Sequence, residues 1–455
     1  VSRPRRRRKV DAARLAAYTA LHRISVEDAY ANLVLRDATR GLAARDASWV
    51  TEVVSGTSRL RGTYDRIITE AGGRPVEKLQ SSVLDVLRMA SHQALSMRTP
   101  AHAVVSESVD LAAQVVGERV TGLVNAVTRK ILAKDLAGWT EQLTGGADPE
   151  LARSIRHHHP AWIVHAYQDS LPADEVELAL AANNIAPATQ LVARPGLVTR
   201  DELLAEAVEV GLSGDPIDLV STAITVAGDP GKLPSVITGR AAVQDAGSQL
   251  VTLALTRALA AEAGQRGSAP RVLDLCAGPG GKSALLATAV PTARLLAAEL
   301  HPHRAELVRS SLRTVPHDRW AVICADGTQP AWAPNIFDAV LADVPCTGLG
   351  ALRRRPESRW RRTDADLTEL VALQRSLLDV ALDAVRPGGI VGYVTCSPHP
   401  AETVELVDEI RATRGDVEVV APTGMPDDAR RGDYVQLWPH RHGTDAMFLA
   451  LLRRR

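Results

Sequence analysis

Two apolar runs in this chain end on a cysteine. In "ADVPCTGLGALRRRPE", residues 342–357, Cys346 follows Pro345 where the run breaks into a loop rich in glycine and arginine. Further on, in "YVTCSPHPAE", residues 393–402, Cys396 takes a similar position. A thiol is only a few per cent ionised at neutral pH unless something lowers its pKa, and burial beside an apolar strand would raise it. Polar loops at strand ends favour chemistry for these two. Cys276 and Cys324 read instead as small packing residues near a ligand. The four cysteines fit neither a CxxC metal pattern nor a dense disulfide framework, so reduced thiols and no bound metal are expected.

A second chemical signature precedes the thiols. "DLCAGPGGKS", residues 274–283, follows an apolar run and enters a helix, so its glycines let the backbone approach a ligand over the helix N-terminus. A phosphate-binding P-loop would need glycine where Cys276 stands, which argues against a nucleoside triphosphate. A dinucleotide fingerprint would need a third glycine where Ser283 stands, and Pro279 stiffens the turn. S-adenosylmethionine, which has no pyrophosphate, remains. Glu299 ends the next run, where an acid can accept both ribose hydroxyls; Asp326 ends the third, near the expected adenine amino group; Asp343 ends the fourth. Each acid alone is weak evidence, since strand-end carboxylates often cap the next helix. Three in register behind the glycine loop are strong.

The elements that must position these groups are legible as periodicity. From about residue 241, short apolar runs alternate with helical stretches: "RVLDLC", "RLLAAEL", "AVICAD", "FDAVLADVP", "IVGYVTCS", then "VEVVAP" and "MFLALLRR". That pattern predicts a doubly wound, mostly parallel sheet of seven strands with polar residues at the strand C-termini. A long helix carries Leu367, Leu370, Val371, Gln374, Leu378, Ala381 and Val385 on one stripe and is closed by "RPGG". Residues 10 to about 135 read as consecutive helices; Val105, Val109, Ala112 and Val116, for example, share one face. "LTGGADPE" reads as a linker, followed by a mixed region with a strand at "TQLVARP". The expected domains are residues 1–145, helical; 146–235, a mixed α/β connecting subdomain; and 236–455, the α/β sheet domain. His157, His158 and His159 are adjacent, but neighbouring side chains on a helix diverge, so a helix start at Pro160 is preferred to a metal site.

Composition narrows the class. Hydrophobic residues make up 45% of the 455 but aromatics only 3%, so packing must come from Ala, Val and Leu. Formal net charge is zero, which hides basic clusters at "RPRRRRK", "RRRPESRWRR" and "LLRRR". Arg353, Arg354, Arg355, Arg359, Arg361 and Arg362, with Trp360 among them, could grip RNA phosphates; a solvated helix is the alternative. No apolar run reaches the ~18 residues of a membrane span, and no signal-peptide pattern follows the basic start. A cytoplasmic protein without membrane contact is expected.

Read together, "DLCAGPGGK", "DVPCTGLG" and "YVTCS" resemble the cofactor, Pro-Cys and Thr-Cys motifs of the RNA cytosine-5 methyltransferase family typified by Sun and the human nucleolar NOL1/NOP2 proteins. "LRMASHQALSMRTPAHAVVSESVDLA" and "GLVNAVTRK" are similar to the antitermination factor NusB, an RNA-binding helical bundle. This fusion is the layout of the bacterial branch acting on 16S rRNA, naked or in a small-subunit assembly intermediate. The resemblance implies an N-terminal NusB-like bundle, a Rossmann-like class I methyltransferase domain and a monomer. It assigns to the cofactor Cys276, Ala277, Gly278, Pro279, Gly280, Gly281, Lys282, Glu299, Arg304, Asp326 and Asp343. It makes Cys396 the nucleophile towards cytosine carbon 6, Cys346 the residue that assists release, Asp343 a hydrogen-bond partner of the base, and Lys282 an active-site cation. The family's usual DAPCSGTG differs here at Val344, Thr347 and Leu349, and its DGFF reads "DAMF", without loss of a reacting group. The competing class is a non-catalytic rRNA-binding, assembly or antitermination-type factor with a vestigial enzyme attached.

Overall fold

The computed structural model describes residues 10–263 and 268–455; the basic segment at residues 1–9 lies outside them. The chain divides into two compact units: Val1–His165 with Leu352–Thr363, and Ala166–Ala351 with Asp364–Arg455. The helical unit thus extends to residue 165 rather than 145, and it includes the arginine-rich segment that follows the Pro-Cys loop.

The first unit is built of helices at Ala12–Val26, Ala31–Ala38, Ala44–Arg59, Arg61–Gly72, Ser81–Leu95, Ala101–Val115, Thr121–Ile131, Leu136–Thr144 and Pro149–His157. "LTGGADPE" spans the end of one helix and the start of another, where the Asp148 side chain accepts from the Glu150 and Leu151 amides. On Ala101–Val115 the buried residues are Val104, Ser108, Leu111 and Ala112; Val105 and Val109 are only half-buried. The core face is therefore rotated by one residue from the expected stripe, because valines on both sides of it blur the period. The core is mostly aliphatic, with Leu21, Val50, Val54, Ile67 and Leu87 in one cluster that also takes in Tyr64 and Trp139. His158 closes a helix in the left-handed conformation (φ 59°) and His159 is buried. Among the described residues no group of His, Cys, Asp and Glu is arranged to hold a metal.

The second unit opens with a small antiparallel sheet: β1 (Thr189–Ala193), β2 (Ser213–Pro216), β3 (Ala223–Ala227) and β4 (Ala241–Val243), in the order β2-β3-β1-β4. The last of these lies beyond residue 235, so the connecting region borrows a strand from the next segment. The main sheet contains β5 (Arg271–Asp274), β6 (Arg294–Glu299), β7 (Trp320–Cys324), β8 (Phe337–Asp343), β9 (Val385–Thr395), β10 (Val417–Val420), β11 (Arg430–Arg431), β12 (Tyr434–Gln436) and β13 (Phe448–Arg454). All seven expected strands form, but the sheet has nine: β11 and β12 make a short antiparallel ribbon on β13, too brief and polar to show as an apolar run. β7-β6-β5-β8-β9 are parallel, and β13 closes on β9 antiparallel.

Strands buried on both faces send alternate residues to opposite cores. Val272, Leu341, Ile390 and Leu449 join one cluster with Leu250 and Leu255 of the helix Ala246–Ala263. Leu273, Val340, Val391 and Phe448 join the other with Leu378 and Ala381 of the helix Asp364–Ala384. The "RPGG" turn belongs to the start of β9, not to a helix end, and Val385 is its first strand residue. Chain order reverses between β5 and β8, and at such a switch point the loops at the strand C-termini separate and leave a crevice. Among the described residues no helix is long and apolar enough to cross a membrane.

Candidate active site

The glycine loop leaves β5 on one side of the switch point. Gly278 (φ 57°) and Gly280 (φ 89°) are both left-handed, and a Cβ on Gly280 would come within 2.8 Å of Val308 Cα. The Ala277 amide donates to Ala298 O (2.9 Å), and Pro279 O accepts from Ser311 Oγ (2.8 Å), tying the loop to its neighbours. Glu299, at the end of β6 and only 4% exposed, accepts from the Gly278 amide (3.0 Å) and the His301 amide (3.1 Å). Arg304 lies 3.7 Å from the same carboxylate. Asp326 is half-buried and holds the Thr328 amide and hydroxyl, which lower its pKa. Cys276 is held far above the usual thiol range by burial first, then by the charges of Asp274, Asp343 and Glu299, which favour its protonated form. Cys324 is exposed rather than packed, which corrects its expected role; its Sγ contacts Leu300 O.

On the other side of the switch, Asp343 ends β8 and Thr395 ends β9. Lys282 Nζ sits 2.7 Å from Asp343 Oδ2, with its side chain 13% exposed, so it faces inward and not to solvent. Burial works against its charge, but Asp343, Cys396 and Asp274 together raise its pKa above the ordinary value. Cys346 and Cys396 meet with their sulfurs 3.4 Å apart. Cys346 is raised well above the usual range, by its hydrogen bond with Cys396, by burial, and by the charges of Cys396 and Glu402. Two sulfurs this close cannot both ionise, so the pair carries at most one negative charge at a time.

Residues outside the expected set hold the two loops. The Glu402 carboxylate is fully buried and accepts from the Thr347 amide (2.7 Å), the Thr347 hydroxyl and Gln374 Nε2 (2.9 Å). Gln374 also donates to Pro345 O (2.9 Å), and the Gly350 amide donates to Cys396 O (2.9 Å). From the connecting region, Tyr167 donates to Leu349 O (2.9 Å) and Ser170 to Pro398 O (2.7 Å). The change to Thr347 keeps the hydroxyl that reaches Glu402. In "DAMF", the Ala446 amide donates to Gly350 O, and a Cβ on Gly350 would come within 2.4 Å of Ala446 O.

The arginine-rich segment is used differently from the expectation. Arg359 is fully buried in the helical unit and donates to Arg59 O (3.3 Å) and His158 O (3.0 Å); Arg353 is 8% exposed. Trp360 donates from Nε1 to Ser58 O (2.7 Å) and packs where a Cβ on Gly62 would be 2.4 Å away. Arg361 pairs with Asp28 (3.1 Å) and lies 4.5 Å from the Tyr30 ring centre. Neither phosphate-gripping nor a plain solvated helix describes these four residues: their side chains build the unit. Arg354, Arg355 and Arg362 are exposed.

Comparisons with known proteins bear on the family and the fold. Residues 259–453 match the model described as 16S rRNA methyltransferase RsmB/F, and residues 11–133 match the NusB family. The protein named "Putative methyltransferase Rv1407" of Mycobacterium tuberculosis (strain ATCC 25618 / H37Rv) is 46% identical, covering 100% of this chain and 99% of its own. Ribosomal RNA small subunit methyltransferase B of Vibrio cholerae is 30% identical, with 97% of each chain covered. The crystal structure of PH0851 superposes with a TM-score of 0.84 over 98% of this chain and 99% of its own, at 20% identity. That of NSun6 from Pyrococcus horikoshii with SFG has a TM-score of 0.54 over 65% of this chain and 98% of its own, at 15% identity.

Proposed function

The chain belongs to the 16S rRNA methyltransferase RsmB/F family, and from that premise we propose that it methylates carbon 5 of a cytosine through a transient bond between Cys396 and carbon 6. The observation that carries this reading is the pair of sulfurs 3.4 Å apart at the ends of β8 and β9, beside the Lys282–Asp343 ion pair. Carbon 5 of cytosine is a weak nucleophile. A thiolate adding at carbon 6 converts the ring to an enamine-like form that attacks through carbon 5.

The residues behind β5 fit S-adenosylmethionine. Left-handed glycines at 278 and 280 open the loop, and Glu299 stands ready to take ribose hydroxyls. Gln244 Oε1 is buried without a hydrogen-bond partner, close to Gly281, and suits a ligand ammonium group. Asp326 would take the adenine amino group. A solved neighbour of the same fold carries SFG, an analogue of this cofactor. When bound, the cofactor supplies an electrophilic methyl group on a sulfonium.

Each protein group then has one task. Lys282 favours negative charge on Cys396, since the two raise one another's charged form. Asp343, an acceptor while it pairs with Lys282, takes a hydrogen bond from the amino group of the base and holds the ring in place as sulfur adds. Once carbon 5 carries its methyl group, the Cys346 thiolate takes the carbon 5 proton. The electron pair left behind restores the ring double bond and expels Cys396 as thiolate. The target base must leave its stack to reach the sulfurs, at a cost of a few kcal/mol that is least in a loop. Exposed Arg354, Arg355 and Arg362 are offered as phosphate contacts.

The test incubates 16S rRNA and S-adenosylmethionine with wild type, Cys396→Ala and Cys346→Ala, then measures methylated cytosine and denaturant-resistant protein–RNA adducts. Cys396→Ala is expected to give neither, and Cys346→Ala to accumulate the adduct. Methylation by Cys396→Ala at the wild-type rate would sink the assignment.

A further inference from the structure

Two thiols in contact pose a selection problem: sulfur chemistry alone does not say which of Cys346 and Cys396 is to be ionised. The surroundings are asymmetric. Lys282, already paired with Asp343, interacts electrostatically with Cys396. On the Cys346 side stands Glu402, contributed by the turn Pro400–Glu402. Its carboxylate is wholly buried, and its partners are all neutral donors: the Thr347 amide, the Thr347 hydroxyl and the Gln374 amide. These neutral donors satisfy the oxygens of the carboxylate and bring no opposing charge beside it. The residue it grips, Thr347, directly follows Cys346, and Gln374 extends the same clamp to the carbonyl of Pro345 directly before it. Tyr393, the remaining titratable group here, donates to Glu402 O, and burial followed by the charges of Glu402 and Cys346 keeps it neutral.

We infer that Glu402 is a positioning residue: its buried carboxylate fixes the Pro-Cys loop from both sides of Cys346 and opposes charge on that sulfur, so Cys396 is the one ionised. The inference rests on the proposed role of Cys396 and deepens it. In the free enzyme Cys346 keeps its proton and donates it towards the Cys396 thiolate. Once Cys396 is consumed in the adduct, that thiolate charge is gone. Cys346 then loses its proton to solvent and becomes the base. Glu402 thereby orders the two steps in time.

Iodoacetamide labelling of the full chain without RNA, in pulses brief enough to modify each molecule once and mapped by peptide mass spectrometry across pH, reads the order directly. In wild type Cys396 is expected to label first. In Glu402→Gln, which keeps the shape and removes the charge, the Cys346 labelling curve is expected to move about one pH unit lower, a ~10-fold gain in its labelling at a fixed pH below the midpoint. Glu402→Asp keeps the charge and is expected to restore the wild-type order, while its shorter reach slows adduct formation with unchanged KM for RNA. A loss of fold alone would not move one thiol and spare the order in the other variant. Should Glu402→Gln not fold, Thr347→Val is read instead. It cuts one tie and keeps the charge, so slower adduct formation with Cys396 still labelled first is expected, and wild-type adduct rates or a reversed order would overturn the idea. Cys346 labelling first in wild type, or at an unchanged pH in a folded Glu402→Gln, would also overturn it. Failure of the parent reading is separately visible as methylation by Cys396→Ala.

Discussion

Residues 343–350 and residues 353–362 are separated by two positions in the chain, and both attract notice as functional sequence, yet their side chains are spent in different ways. The first stretch keeps its chemistry at the crevice: Asp343 is 30% exposed and meets Lys282, and Cys346 touches Cys396. The second turns most of its charge inward within the helical unit, where Arg359 is fully buried on backbone carbonyls and Trp360 seats against Gly62. A cluster of arginines says how much charge is present, not where it goes. Reactive types followed by a glycine loop, by contrast, constrain both.

The largest effect that would sharpen this contrast is expected from Asp343→Asn. It removes the charge facing Lys282 and the base but leaves the β8 backbone intact. Methyl transfer should fall by ~10²- to 10³-fold in kcat, as for loss of one preorganised electrostatic partner. Thermal unfolding should move by no more than about 4 °C. A variant that unfolds early and transfers methyl normally when cooled would mean that Asp343 is structural, and the contrast would collapse.

Next in size is Arg359→Ala, which should act on stability. It leaves the carbonyls of Arg59 and His158 without their donor in a buried place, and should destabilise the helical unit by about 3 kcal/mol. Urea unfolding followed by limited proteolysis reads this. The slope of log RNA affinity against log salt should stay at the wild-type value, because no phosphate contact is lost. A reduced slope with unchanged stability would reverse the assignment of this arginine. The exposed set is expected to act on the slope: replacing Arg354, Arg355 and Arg362 together by Ala should lower it by up to ~2, at about 0.7 per phosphate on single strands. An unaltered slope would remove them from the RNA interface.

These expectations also mark what could be read from sequence. Strands of the main sheet that run as unbroken apolar stretches, parallel β5 to β9 and antiparallel β10 and β13, were legible. β11 and β12 were not, since five residues in all carry no period. The glycine loop and both cysteines were legible because their chemistry restricts residue type at fixed spacing. Glu402 lay in plain view within "YVTCSPHPAE", but its meaning depends on Thr347, 55 positions earlier, and a buried carboxylate leaves no periodic trace. Arg359 failed for the same reason in reverse: its burial is a property of partners at Arg59 and His158 that no local pattern announces.

The last effect is spread over pH rather than read at one condition and concerns Asp274, which lies behind the glycine loop and, like Arg359, is almost wholly buried. Arg359 lies on backbone carbonyls; Asp274 accepts from Ser283 Oγ at 2.5 Å and from the Cys276 backbone, and stands near the charge of Asp343. Burial first, then Asp343, against the opposing pull of Ser283 and Lys282, raise its pKa to about 7. In the unfolded chain an aspartate titrates near 4. The folded state therefore holds the proton more tightly, so this group's contribution is fully present below about pH 4 and is lost as pH rises towards 7. The slope is at most about 1.4 kcal/mol per pH unit in that window and levels off above it. Asp274→Asn keeps an acceptor for Ser283 without a charge to bury. Its stability relative to wild type should improve steadily from pH 4 to 7 and then hold constant, as measured by urea unfolding at a series of pH values. A parallel pair of curves would mean that Asp274 is ionised throughout, and that the catalytic unit holds this charge without giving it up, as the helical unit holds that of Arg359.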